Sequence, residues 1–321
     1  MKKILALLIL TILCITLLGC TETTTPTDSP TTPTDNTTPT ETPTNNPAPS
    51  GSTTPPELCS NSEYSTMKSN WNNEDIILDK ASDNKLAERL KSKGSAAFEE
   101  ILDLDCITIL DLAREKDLPG FSPLTKLQTL KGLKLGTTTL LEPASLASLK
   151  QLNYLDLGNS NFSDTSALAS LTNLKTLDLG SPEVTDISSL ANLKNLESLV
   201  LNGTEVTNIS PLSGLTNLTI LDLGGLQADD FSPLSNLTNL ETLYLQGSNF
   251  SDTSLLNNLK KLEHLELQRT QVINISALSN LSNLKEIFIY QLNVSSEDCE
   301  ALQSTLPNAK IYRNSFSDEG C

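Results

Sequence analysis

The chain has 321 residues and a formal net charge of −17 at pH 7, and only 4% of its residues are aromatic. So acidic a chain lacks the basic clusters that nucleic acid or direct adsorption to anionic lipid would require. The charge favours solubility and repulsion between copies, so a monomer is expected.

Residues 1–19 read as an export signal. Lys2 and Lys3 make a short basic start, and Ile4 to Leu18 is mostly apolar, with Thr11 and Thr16 the clear exceptions. The run has the length of a signal-peptide core and is short for a free-standing membrane span. It ends in Leu17-Leu18-Gly19-Cys20, which resembles the lipobox of bacterial lipoproteins, although Leu18 is larger than the residue usual there. The resemblance implies a lipid on the Cys20 thiol, cleavage before it, and attachment to the membrane through that lipid. An ordinary signal peptide or an N-terminal membrane anchor is the other reading. Thr21 stands where the family's inner-membrane retention Asp would be, which implies the outer membrane or cell surface where a cell has one.

Residues 20–56 are expected to be a disordered tether. Fifteen of the 36 residues in 21–56 are Thr and nine are Pro, with no aromatic or large aliphatic side chain to bury. Such a segment favours extended structure and would span on the order of 110 Å. Residues 57–107 form a different unit. Asp83 to Leu90 and Ala96 to Leu102 space their apolar residues as helices do, which predicts a helical N-terminal cap.

From residue 108 to 294 the chain repeats. Leu-x-Leu recurs at Leu133/Leu135, Leu155/Leu157, Leu177/Leu179, Leu199/Leu201, Leu221/Leu223, Leu243/Leu245 and Leu265/Leu267, always 22 residues apart, and Ile287/Ile289 continues it. Leu110/Leu112 and Ala309/Ile311 extend the series to about ten strand positions. Leu149, Leu171, Leu193, Leu215, Leu237, Leu259 and Leu281 form a second column in the same register. A fixed period of this kind marks a solenoid.

These units resemble the bacterial 22-residue leucine-rich-repeat class, the internalin-like type. The resemblance implies an α/β solenoid: a right-handed superhelix with a parallel concave β-sheet, short 3-10 or helical turns on the convex side, and the helical cap before it. One departure recurs. The family's ladder Asn, three residues after the second strand Leu, is here Thr138, Ser160, Thr204, Ser248 or Thr270. Alternation within the strand turns both leucines of Leu-x-Leu inward and the residue between them outward. The return limb opens on Asp164, Asp186, Asn208, Asp230, Asp252 or Asn274, with Ser two residues later. Ser is a good N-cap and Pro a good first helical residue, as in Ser210-Pro211, so a short helical turn is expected there.

Residues 295–321 are expected to cap the other end. Ser295 to Leu302 has capping-box chemistry ahead of a helix, and Ile311 sits in a last strand. In the solenoid that the resemblance implies, the caps lie on the order of 40 Å apart at about 4.8 Å per strand. A disulfide spans about 5–7 Å between Cα atoms. The expected pairs are therefore Cys59–Cys106 and Cys299–Cys321, an intermolecular bond through Cys321 being the alternative.

A ligand is expected on the concave face. The column between the leucines reads Lys134, Asp156, Asp178, Val200, Asp222, Tyr244, Glu266, Phe288. The column before it holds Tyr154 and His264, and the column after it runs Gly136, Gly158, Gly180, Asn202, Gly224, Gln246, Gln268, Tyr290. Exposed aromatics in an acidic rim, with Tyr154, Tyr244, Phe288 and Tyr290 as anchors, would suit a basic, partly apolar protein, or a glycan. Packing of Phe288 and Tyr290 beneath the C-terminal cap is the other reading. His264 is the only histidine, without a Ser-His or Cys-His arrangement, metal-ligand spacing or phosphate loop. No catalytic residue, metal or cofactor is expected. A surface or envelope binding protein is the reading, and a passive spacer without a ligand the alternative.

Overall fold

The computed structural model describes residues 108–116, 118, 120–313 and 321, together with the backbone of two earlier strands. Among the described residues, twelve three-residue strands form one sheet in chain order. They are β1 (Thr66–Lys68), β2 (Ile76–Leu78), β3 (Ile109–Asp111), β4 (Gly132–Lys134), β5 (Tyr154–Asp156), β6 (Thr176–Asp178), β7 (Ser198–Val200), β8 (Ile220–Asp222), β9 (Thr242–Tyr244), β10 (His264–Glu266), β11 (Glu286–Phe288) and β12 (Lys310–Tyr312). β1 and β2 are antiparallel, and every later pair is parallel.

The register never slips in the repeats. Leu133 pairs with Leu155, Leu155 with Leu177, and so on to Ile287 with Ile311. A one-residue slip would turn the leucines to the opposite face. The core holds them there: Leu133, Leu155, Leu177, Leu199, Leu221, Leu243 and Leu265 are fully buried, as are Leu171, Leu193, Leu215 and Leu237. This is the expected leucine-rich-repeat solenoid.

The start of the sheet carries two strands for which no sequence expectation was made. The segment expected to be a helical cap, 57–107, contributes β1 and β2, which add a hairpin to the edge of the first repeat strand. The helices expected over 83–90 and 96–102 lie outside the described residues. So do the export signal, Cys20, the tether and the Cys59–Cys106 pair.

The return limbs carry short 3-10 turns, among them Thr165–Leu168, Ser188–Asn192, Ser210–Gly214, Ser232–Asn236 and Ser276–Asn280. Ser was expected to cap them, but Asp164 is the N-cap of the first, and the others have an apolar residue at the cap position, with an Asp or Asn just before it bonding the Ser N–H. Asp164 accepts the N–H of Ser166 at 3.0 Å, Asp186 that of Ser188 at 2.8 Å, Asn208 that of Ser210 at 3.0 Å and Asp230 that of Ser232 at 2.8 Å. The short acceptor reaches an N–H that the turn itself leaves unpaired.

The Thr/Ser departure also resolves. The hydroxyls of Thr138, Ser160, Thr204, Ser248 and Thr270 donate within their own unit to the carbonyl three residues back, at 2.6–2.8 Å. They close the turn after the strand and do not tie neighbouring units. An asparagine ladder exists elsewhere, in the limb entering the strand. The amides of Asn173, Asn195, Asn217, Asn239 and Asn283 donate to carbonyls of the preceding unit at 2.6–2.9 Å.

The C-terminal end closes on helix α1 (Ser296–Thr305), capped by Ser295, which accepts the N–H of Asp298 at 3.0 Å. Cys299, buried in that helix, is bonded to Cys321, with 5.4 Å between the Cα atoms. Arg313 braces the junction, donating to the Ser296 hydroxyl at 2.9 Å and the Val294 carbonyl at 3.0 Å.

Candidate functional site

The residues between the leucines occupy one row across the outer face of the sheet. The pairs Lys134–Asp156, Asp156–Asp178, Asp178–Val200, Val200–Asp222, Asp222–Tyr244, Tyr244–Glu266 and Glu266–Phe288 are direct register partners. Neighbours in such a row stand about 4.8 Å apart at the backbone. The row divides into an acidic half and a half where aromatic and acidic residues mix.

In the acidic half each aspartate has a structural task. Asp156, Asp178 and Asp222 accept the N–H of the glycine two residues on, Gly158 at 3.0 Å, Gly180 at 2.9 Å and Gly224 at 2.8 Å. The glycines leave room for the next unit. A Cβ on Gly136 would lie 3.1 Å from Asp156 Oδ1, and one on Gly224 would lie 2.6 Å from the Gln246 amide nitrogen. The aspartate column and the glycine column are thus one device.

Burial raises these acids. Asp178 is pushed up to about 7, by burial first and then by the charge of Asp156, against the lowering effect of the Gly180 N–H. Asp222 is pushed up to about 6 by burial, opposed by the Gly224 N–H and the Asn202 amide. Asp156 moves upward by burial, held back by the Gly158 N–H and by Lys134. Lys134 also pairs with Asp111 at 3.6 Å. The half-buried Tyr154 is raised well above its ordinary value by burial and by Asp156, Asp178 and Asp111.

In the other half the aromatics are not the free anchors that were expected. Tyr244 is only 1% exposed and Phe288 6%, whereas Tyr290 and Val200 are half-buried. The rings pack along the sheet: Tyr244 to His264 at 5.3 Å, His264 to Phe288 at 5.2 Å, and Phe288 stacked on Tyr312 of β12 at 4.4 Å. The last contact is packing of Phe288 on the C-terminal cap. Side chains 20 to 24 residues apart, on neighbouring strands, come close enough to cover each other, which outward direction alone does not reveal.

The sequence shows His264 only as a lone histidine without a catalytic arrangement, and its two carboxylate neighbours go unread. Its Nε2 lies 3.2 Å from Glu266 Oε1 and its Nδ1 3.2 Å from Glu286 Oε2. Gln268 donates to Glu266 Oε2 at 2.5 Å. The signal was in the spacing: two residues to Glu266 puts a partner on the same face, and 22 to Glu286 puts one in the adjacent strand. Among the described residues no group of three His, Cys, Asp or Glu side chains is placed to hold a metal ion.

A stack of parallel three-residue strands with 3-10 return limbs is a leucine-rich-repeat architecture. The family of Leucine Rich repeats (2 copies) matches residues 150–192 and 194–236. Among solved structures, internalin C2 of Listeria monocytogenes str. 4b F2365 is 37% identical, with a TM-score of 0.54 over 60% of this chain and 83% of that one. Internalin InlF of the same strain is 29% identical, with a TM-score of 0.51 over 67% of this chain and 76% of that one. The plant peptide hormone receptor RGFR1, solved in complex with RGF2, is similar in fold at 21% identity, with a TM-score of 0.52 over 67% of this chain and 37% of that one. No curated protein matches the sequence. The chain belongs to the internalin-like leucine-rich-repeat family.

Proposed function

We propose that this protein is a non-enzymatic lipoprotein of the cell envelope that presents the outer face of its sheet to a protein, or a glycan. A lipid on Cys20 and the Thr/Pro-rich tether would hold the solenoid at the outer membrane or cell surface, the reading supported by Leu17-Leu18-Gly19-Cys20. Among the described residues no helix is long and apolar enough to cross a membrane. The observation that carries the binding reading is the unbroken row Asp156, Asp178, Val200, Asp222, Tyr244, Glu266, Phe288 on one face of a sheet with continuous register. Its chemistry suits a partner with a basic, partly apolar surface.

One observation favours a passive spacer instead. The ring row from Tyr244 to Tyr312 spends its aromatic surface on internal packing. The experiment that separates the two readings is capture of partners from envelope and host extracts, with wild type beside a Val200→Arg/Asp178→Lys variant and a control outside the sheet, Ile273→Lys. Ile273 is 71% exposed. The binding reading expects a partner retained by the control and lost by the sheet-face variant. A partner retained equally by all three would contradict it. Protease shaving of intact cells should release the solenoid if it faces outward.

A further inference from the structure

Asp222 is the most costly group on the sheet face. It is a carboxylate only 1% exposed. Lys134, the cation of the row, is engaged with Asp111, and the ring nitrogens of His264 face Glu266 and Glu286. Asp222 Oδ1 accepts from Gly224 N at 2.8 Å, but Oδ2 has only the Asn202 amide at 3.5 Å, the outer limit of a hydrogen bond. A buried carboxylate without a counter-charge is destabilising unless something completes it.

Three more buried oxygens, on the next two units, are unsatisfied. The buried Tyr244 hydroxyl, the Gln246 carbonyl oxygen and the Gln268 carbonyl oxygen have no hydrogen-bond partner. Gln268 cannot be flipped to remedy this, because its amide nitrogen already donates to Glu266. Orphaned buried polar atoms call for a specific explanation; Tyr244 is on β9 and Gln246 and Gln268 follow β9 and β10 by two residues, while one further such atom, Asn249 Oδ1, lies farther along the limb after β9. Asp222, Tyr244 and Glu266 are successive register partners. All the unmet capacity except the Tyr hydroxyl is acceptor capacity, and it flanks an aromatic ring. The half-buried Val200, Asn202 and Gln246 form the solvent side of the group.

We propose that Asp222, Tyr244, Gln246, Glu266 and Gln268 form a subsite for one guanidinium group, an arginine side chain of the bound partner. A guanidinium brings five N–H donors in a plane. It answers several scattered acceptors at once, which an ammonium with three donors on one atom does less well. The raised titration of Asp222 is consistent with a carboxylate awaiting a cation. This inference rests on the sheet face being the binding surface and names the chemistry that it recognises.

The test uses the full-length protein and three probes, N-acetyl-arginine amide, its neutral isostere N-acetyl-citrulline amide, and N-acetyl-lysine amide, titrated by NMR. Saturable binding of the arginine probe is expected, with the lysine probe at least several-fold weaker and no saturation by citrulline. Asp222→Asn and Glu266→Gln should each weaken arginine binding at least tenfold, Tyr244→Phe should weaken it a few-fold, and Glu205→Gln, at an exposed position outside the row, should leave it unchanged. Asp222→Asn keeps an oxygen for the Gly224 N–H, and thermal unfolding checks that it folds. The proposal is overturned by an arginine probe that does not saturate folded wild type. Equal binding of citrulline or lysine, or arginine affinity unchanged in Asp222→Asn and Glu266→Gln, would overturn it too. Arginine binding without any captured partner would leave the subsite standing and sink the partner reading. A captured partner indifferent to both substitutions would do the reverse.

Discussion

The bare Cα of Gly158 lies against the carboxylate of Asp178 in the next unit: a Cβ there would stand 3.1 Å from Oδ1. That oxygen also accepts the Gly180 N–H at 2.9 Å, so it cannot retreat without loosening its own turn. Gly158→Ala should therefore destabilise by about 1 kcal/mol, the loss of one hydrogen bond outweighing the gain from a stiffer unfolded chain. In an Asp178→Ala background the same change should be neutral or slightly stabilising. Urea melts of the four proteins give the coupling directly, and equal effects in the two backgrounds would contradict it.

A second column has left-handed backbone. Gly203, Gly225 and Gly247 have φ of 70–77°, and Thr137 occupies the equivalent position at 60°. These residues turn the chain out of the strand and donate to the next unit, Thr137 to Gly158 O at 2.7 Å and Gly225 to Gln246 O at 2.7 Å. A Cβ on Gly203 or Gly225 would meet nothing within 4 Å, so conformation alone decides. Gly225→Ala should cost about 1 kcal/mol, and Thr137→Gly should gain up to about 1 kcal/mol. Denaturant midpoints that moved the other way would show that another contact dominates.

Asp178 and Asp222 should set the pH dependence of stability near neutrality. Their folded values, about 7 and about 6, lie above the ordinary 3.8. The folded state then binds protons more tightly than the unfolded one, so their favourable contribution is complete below about pH 4 and is lost as pH rises through 6 to 7. Asp164, Asp230 and Asp252 are shifted downward by their Ser hydrogen bonds, so their contribution is present above the ordinary value and fades below it. Thermal midpoints measured from pH 4 to 8 should fall, and Asp178→Asn with Asp222→Asn should flatten that fall. An unchanged slope in the double variant would assign it to other groups.

The C-terminal bond should protect one end of the sheet. Cys299 and Cys321 close a 22-residue separation, for which chain entropy gives roughly 3 kcal/mol. Cys321→Ser should lower the unfolding midpoint and expose β12 to protease before the central strands open, because repeat arrays loosen from their ends. Simultaneous cleavage along the whole array would contradict that.

The solenoid was legible because Leu133, Leu155 and their successors are identical in type and evenly spaced, and one face must be buried. The strands β1 and β2 were not, since Thr66–Lys68 and Ile76–Leu78 are too short to show alternation. The Asp156/Gly158 and Asp178/Gly180 pairs were visible as two columns, yet their connection needed the carboxylate-to-N–H distances. Which way Tyr244 and Phe288 point was readable from Leu-x-Leu. That His264 and Tyr312 would cover them was not, because burial on a sheet face depends on rings contributed by other units.

The central claim is that the outer face of the sheet contacts a partner, and site-specific photo-crosslinking in intact cells tests it most directly. A benzophenone amino acid would replace Val200, half-buried on that face, or Ile273, which is 71% exposed away from it. Discrete adducts from position 200 alone are predicted, diminished by Asp222→Asn. Adducts from position 273 alone, or from both alike, would contradict it.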